Sequence, residues 1–368
     1  LSEYQYYEFV AVDRPLDAGE LELLRGLSTR AHITPTSFVN TYHWGSFRGD
    51  PRALVERYFD AFLYLANWGT RELILRLPAR LLDLAEVERY CCGDAVSVSR
   101  KGEFLIVTAS CEDEEGDFEE GGEGVLASIL PVRAELLVGD QRALYLLWLL
   151  SVQVEEVDDD VVEPAVPERL GQLTGSQAAL AEFLRIDRDL LEVAAARSTR
   201  SAKRVVDVAG WVGSLDRSER DALLVALLEG NDPLLRAETL RRARPDTAER
   251  VGVRTAGQLR TAAAARRAER ERAEHERRTT AAAERARRSE RARQNRLAAL
   301  GADGEQAWRR VAMRIAEKKP AGYDVAVDLL VDLREVTEPA DFARRLARLR
   351  LEHGRKPSFI ERLMHAGL

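Results

Sequence analysis

Between Gln258 and Leu300 the chain runs forty-three residues without glycine or proline, carrying thirteen Arg, six Glu and thirteen Ala. Leu259, Leu297 and Leu300 are the only large aliphatic side chains in that run. Ala, Arg and Glu all favour the helix, so the composition predicts one exposed helix of about 65 Å, polar all round, with nothing on it to build a core. Glu274 with Arg278 and Glu284 with Arg288 stand at i,i+4; each such pair adds only a few tenths of a kcal/mol, about enough in sum to hold the helix in water. A segment of this kind bridges, reaches or binds.

The rest of the chain is organised around that helix. With 368 residues, 45% hydrophobic and 32% charged, there is material for two or three cores. The reading divides the chain into an α+β head at 1–139, a helical domain at 140–245 with an acidic linker at 155–167, the single helix at 258–300, and a helical tail at 301–368. The net charge of −7 conceals a polarity: residues 1–170 hold 15 Lys and Arg against 32 Asp and Glu, and the remainder 40 against 30. An acidic front and a basic back suit self-association or separate partners for the two halves.

Within the head, runs at 4–12, 33–44, 62–66, 72–77, 95–99 and 103–109 read as strands. Asp17 with Glu20 and Asp50 followed by Pro51 mark helix starts, and Pro78 opens a helix to about Tyr90. The order β-α-β-α-β-β-α-β-β argues for a mainly antiparallel sheet with helices on one face. The longest apolar stretch, 143–154, is too short to span a bilayer and reads as a buried helix. With three cysteines, no CxxC pair and no secretory leader in the opening residues, the expected setting is the reducing cytoplasm, away from membranes.

Four candidate chemistries emerge. Two strands end in Trp-Gly, so His43, Trp44, Tyr64 and Trp68 could line a concave aromatic wall for a planar or apolar ligand; the alternative is that they are core residues. Eight carboxylates at 112–123 and six at 155–163 lack the spacing of a calcium loop, and fit a basic partner better than a metal. The vicinal Cys91 and Cys92 have no flanking cation beyond Arg89 and read as small hydrophobes. Finally, Arg260, Arg267, Arg278, Arg285 and Arg296 fall within about 20° of one line along the helix, a stripe that can follow a phosphate backbone or an acidic partner. Glu271 and Glu274 lie near the same line, and a solvated spacer is the competing reading. No phosphate-binding, dinucleotide, zinc-protease or nucleophile-elbow signature is present, so no catalytic residue, metal or cofactor is assigned.

Two resemblances accompany these readings. Tyr4-Gln5-Tyr6-Tyr7-Glu8-Phe9, Ile33-Thr34-Pro35-Thr36-Ser37-Phe38, Trp44-Gly45 with Gly49-Asp50-Pro51, and Tyr58-Phe59-Asp60 with Ala66-Asn67-Trp68-Gly69-Thr70 resemble a family of bacterial proteins known mainly as uncharacterised. The tail, through Tyr323-Asp324, Asp332-Leu333-Arg334 and the closing Arg355-Lys356-Pro357-Ser358-Phe359-Ile360, is similar to the helical C-terminus of bacterial SWIM-type zinc-finger proteins. The Cys and His ligands of such a finger are missing, so zinc and finger-mediated nucleic-acid binding do not carry over. The resemblance implies an interaction setting and supplies no catalytic residues. Together these observations predict a non-enzymatic interaction or scaffold protein that binds a protein partner or another copy of itself. A small-ligand protein or enzyme using the head aromatics, and a nucleic-acid accessory protein using the arginine stripe, are the alternatives.

Overall fold

The computed structural model describes residues 3–112, 121–198, 207–230, 232, 234–243 and 252–368. The chain divides into two compact units, Leu1–Glu269 and Arg270–Leu368.

The first unit begins with the α+β order that the sequence predicts. β1 (Gln5–Val10), α1 (Ala18–Leu27), β2 (His32–Thr34), β3 (Ser37–Tyr42), α2 (Pro51–Arg57), β4 (Ala61–Ala66), β5 (Arg71–Pro78), α3 (Leu84–Glu88), β6 (Val96–Lys101) and β7 (Phe104–Cys111) follow in turn. The single run expected at 33–44 is two strands, folded back at Pro35-Thr36, and the helix expected from Pro78 shrinks to α3. All neighbours are antiparallel in one sheet of order β2-β3-β1-β4-β5-β7-β6.

Alternation along the strands explains how the sheet is covered. Phe9, Phe38, Phe62, Ile74 and Ile106 face one way and pack with Leu24 of α1 and Leu54 and Val55 of α2. Their neighbours Leu63, Leu65, Leu73, Leu75, Leu105 and Val107 face the other way. Against that second face lie α4 (Val125–Ile129), α5 (Pro131–Leu137) and α6 (Arg142–Gln153). Helices therefore cover both faces, where one was expected. β4 is apolar on both sides, and β5 is covered on both although Arg71, Glu72 and Arg76 stand on it, so neither leaves a solvent face.

The expected boundary at 139/140 disappears for the same reason. In α6 every residue from Arg142 to Val152 is buried, because the helix sits between the sheet and α7 (Gly175–Phe183) and α8 (Arg188–Ala195). Head and middle helices share one core. α9 (Val208–Ser214), α10 (Arg217–Glu229) and α11 (Leu235–Arg242) complete this part of the chain.

The charged helix is α12 (Ala256–Ala302), continuous over 47 residues. No residue between Arg270 and Arg296 is buried, as a helix polar all round requires. Its ends differ from expectation: Ala256, Leu259 and Ala263 enter the core of the first unit, and Leu300 enters that of the second. α13 (Gly304–Ala316), α14 (Pro320–Val336), α15 (Pro339–His353) and α16 (Pro357–His365) complete the second unit around Val311, Ile315, Leu330, Leu333, Phe359 and Leu363. Prolines in the first turn open three of them, where a missing N–H costs nothing. No helix in the described residues is long and apolar enough to cross a membrane.

One buried ionic network pins the sheet to its helices. Asp60, fully buried, accepts backbone N–H bonds from Val12 at 2.6 Å and Asp13 at 2.9 Å, and a guanidinium bond from Arg76 at 2.9 Å. Arg133 of α5 lies 3.5 Å from the same carboxylate, binds Asp13 through both terminal nitrogens, and donates to the Arg76 carbonyl at 2.9 Å. Burial alone would raise the Asp60 pKa; Arg133, the two N–H groups and Arg76 outweigh it and hold the carboxyl below its ordinary value. A lowered folded pKa gives stability that is complete above the unfolded value of about 4 and is lost as pH falls through the folded value. Asp60→Ala removes the carboxylate partner of the buried Arg76 guanidinium, while Arg133 keeps Asp13. It should cost about 3–5 kcal/mol in urea unfolding at neutral pH, a difference that narrows in acid.

Candidate functional site

The aromatic positions singled out in the sequence gather at one end of the sheet. Because β1 lies between β3 and β4, the turn bearing His43 and Trp44 and the turn bearing Trp68 flank the start of β1. Gly45 and Gly69 take positive φ in these turns, a conformation open to glycine. Asn67 locks the second turn, its side-chain oxygen accepting from the Tyr4 N–H at 3.0 Å.

The four side chains do not form a single wall. The exposed His43 ring packs on Tyr4, which belongs to the core on the α4–α6 face of the sheet. Half-buried Tyr64 stacks on Tyr7 at 4.7 Å, on the α1–α2 face. Strand alternation separates His43 from Tyr64 by the thickness of the sheet. Trp44 is 66% exposed with the Arg30 guanidinium 4.1 Å above its ring, and Trp68 is exposed in its turn. A narrow apolar space of about 10 Å³ lies between Leu73, Leu75 and Val107 of the sheet and Val132, Leu147 and Leu180 of the helices; it has room for about one water and is lined by none of the four.

On the α1–α2 face the register instead builds a polar row across five strands: Asn40, Tyr7, Tyr64, Glu72 and Ser110. The next row is Phe38, Phe9, Phe62, Ile74 and Thr108. Tyr7 and Tyr64 both donate to Gln5 Oε1, at 2.7 and 3.3 Å, and Gln5 donates to the Gly45 carbonyl at 2.8 Å. Burial raises the pKa of Tyr64 and of Glu72; Arg52 only partly opposes it at Glu72. The Tyr7 and Tyr64 hydroxyls of this row are satisfied, while the buried Asn40 Oδ1 and, in the next row, Thr108 Oγ1 meet no hydrogen-bond partner among the described residues; Ser110 stands opposite Glu72 in the register.

The arginine stripe divides by position. Arg260 donates to the Val152 carbonyl at 3.0 Å and the Val157 carbonyl at 2.9 Å, and pairs with Asp159. Arg267 pairs with Asp187 at 2.5 Å, and Arg296 with Asp332 at 2.7 Å. Arg278 lies 3.9 Å from Glu274 of its own helix, and Arg285 meets no partner among the described residues. The line of arginines is thus largely a seam along which each end of α12 is fastened to the unit it belongs to. Its free portion is the middle.

The same seam occupies the second acidic run. Glu163 is buried, accepts from Arg254 at 2.9 and 2.8 Å and from the Tyr145 hydroxyl at 2.9 Å, and donates its N–H to the Arg254 carbonyl at 2.8 Å. Gly252 lies so close that a Cβ there would stand 1.8 Å from the Glu163 carbonyl oxygen. With Asp159 on Arg260, the acidic stretch expected to be a linker is held by arginines of its own unit. Neither partner could be read from spacing, since about ninety residues separate Glu163 from Arg254. Most of the first acidic run, residues 113–120, lies outside the described residues.

The remaining candidates carry little chemistry. Burial pushes the Cys91 thiol up to about 12 and raises Cys92 as well, so neither is a thiolate near neutrality. No group of three or more His, Cys, Asp or Glu among the described residues could hold a metal ion. No family model, curated protein or solved structure matches the chain.

These contacts make the seam separable from the exposed middle. Glu163→Ala leaves the half-buried Arg254 without its carboxylate and the Tyr145 hydroxyl without its acceptor, and should cost about 2–4 kcal/mol and open 252–263 to protease. Arg285→Ala, on the bare part of the helix, should change stability by less than about 0.5 kcal/mol.

Proposed function

We propose that this chain is a non-enzymatic adaptor of the cytoplasm, with two folded units built on one continuous helix and presented to protein partners. The observation that carries the reading is the construction of α12. Its first turns are part of one core and its last turns part of another, while 270–296 is stabilised by its own composition and buries nothing. A helix that only closed a fold would not leave seven turns bare. The resemblance of the tail to helices of SWIM-type proteins, without their zinc ligands, agrees with a role in binding.

The nucleic-acid alternative rests on what remains of the arginine stripe. Arg260, Arg267 and Arg296 are already neutralised by Asp159, Asp187 and Asp332, which leaves Arg278 and Arg285 on that line. Two phosphate contacts give a salt slope of about 1.8, weak binding by the standard of proteins that make 6 to 10. The ligand alternative loses support from the division of His43 and Tyr64 between opposite sheet faces.

The adaptor reading is tested by affinity capture of the whole chain from its host with mass spectrometry, beside filter binding to DNA and RNA. A protein should co-purify in fixed stoichiometry, and neither nucleic acid should be retained at about 50 mM salt. Retention of nucleic acid that Arg278→Gln with Arg285→Gln weakens would favour the alternative.

A further inference from the structure

The sheet ends at β6, and the outer side of that strand is unpaired. Ser110 donates its N–H to the Ala95 carbonyl at 2.8 Å, and the same register runs from Val96 opposite Ala109 to Lys101 opposite Phe104. Hydrogen-bonded pairs alternate along an antiparallel ladder, so Ala95, Ser97, Ser99 and Lys101 turn their backbone groups toward β7. The N–H and C=O groups of Val96, Val98 and Arg100 point the other way and meet no hydrogen-bond partner among the described residues. The opposite edge strand, β2, is only 3 residues long. Proteins commonly blunt an edge with proline, a bulge or a charge in mid-strand. From Val96 to Ser99 β6 has none of these, and its pairing with β7 is unbroken. α3 and α6 touch β6 on the face that carries Val96 and Val98, while the other face carries half-buried Ser97 and Ser99. A strand left in this state is a template for one more strand, held by backbone hydrogen bonds.

Charge along β6 selects the strand that fits. Asp94, exposed just before β6, makes no ion pair among the described residues, and Glu156 stands beside it, accepting the Ala95 N–H at 2.7 Å. At the other end exposed Arg100 has no carboxylate partner among the described residues. Arg52 reaches Ser99 there at 2.6 Å and Lys101 lies 3.6 Å from Glu56, so Arg52, Arg100 and Lys101 outnumber Glu56 and Glu103 of the turn. The strand is acidic where it starts and basic where it ends. An antiparallel copy of the same strand brings each end to its opposite, whereas a uniformly acidic or basic peptide is repelled at one end.

We propose that β6 pairs antiparallel with β6 of a second copy of this chain about a two-fold axis at Val98, joining two 7-stranded sheets into one. In that register Val98 faces its own copy and Val96 faces Arg100. The outward groups of the three residues on each strand form about six hydrogen bonds between the chains. Arg100 stands diagonal to Asp94 of the second copy, with Cα atoms about 7–8 Å apart, within reach of an arginine side chain, and symmetry makes the contact twice. The pairing goes beyond the adaptor reading, because it places two copies of the first unit in one assembly.

Sedimentation equilibrium of the full chain, with amide hydrogen exchange, tests the pairing. The expected result is a monomer–dimer equilibrium below about 100 µM, with exchange at the Val98 amide slowing as concentration rises. Val98→Pro deletes an N–H that β7 does not use, so it should abolish the dimer with an unchanged circular dichroism spectrum. Arg100→Glu should weaken the dimer about 10-fold, and Arg100→Glu with Asp94→Arg should restore it, as only a contact between those two positions does. A chain that stays monomeric at about 100 µM, a dimer that Val98→Pro or Arg100→Glu spares, or a loss that Asp94→Arg leaves unrepaired would overturn the pairing. Capture of a different protein by a monomer, lost in Val98→Pro, would assign the edge to a foreign strand and overturn it too. A monomer that still captures a protein partner would leave the adaptor reading standing.

Discussion

The first unit depends on α6. A helix apolar on every side cannot end a domain, because each face must find a cover, and Tyr145 and Trp148 are the largest of its fully buried side chains. One side of α6 meets the sheet and the other meets α7 and α8, so the α+β part and the helical part are one body. Its ends are tied by polar contacts that match the burial. Arg142 pairs with Asp140 at 2.6 Å and donates to the Gln172 carbonyl, and Arg260 takes up the Val152 carbonyl beyond the last turn. The core of the head, the helices after it and the root of α12 all meet there.

Charge in this protein works mainly at short range and within the chain. The excess of carboxylates in the first 170 residues and the excess of arginines later invite a long-range picture of attraction between separate surfaces. Several of these charges are instead consumed in pairs. Glu163 takes Arg254, Asp159 takes Arg260, Asp187 takes Arg267, and in the second unit Asp332 takes Arg296. Buried members such as Glu163 and Asp60 would be costly alone, so these pairs fix position more than they add stability. Exposed pairs on α12 contribute little individually, and the helix persists through propensity.

Several features were legible in the sequence for local reasons. The cap at Asp17 with Glu20, Asp50 before Pro51, and the uninterrupted Ala-Arg-Glu run each depend on residues within a turn or two, and each formed as read. The second layer of helices on the sheet was implicit in β4. Its two-sided apolar pattern is that of a strand covered on both faces, although the antiparallel order suggested one. The aromatic wall was harder. Trp44 and Trp68 follow strands that β1 separates, and that order depends on pairing between distant segments.

The sequence by itself determined the elements: which segments are helix or strand, where most begin, and that 258–300 is one helix. Those outcomes follow from propensity, capping and periodicity, which act over a few residues. Only the tertiary structure decided that head and middle share one core and that the arginine line is fastened at both ends and bare between. These depend on partners tens to more than a hundred residues away, chosen by packing and by the cost of leaving a buried charge unpaired.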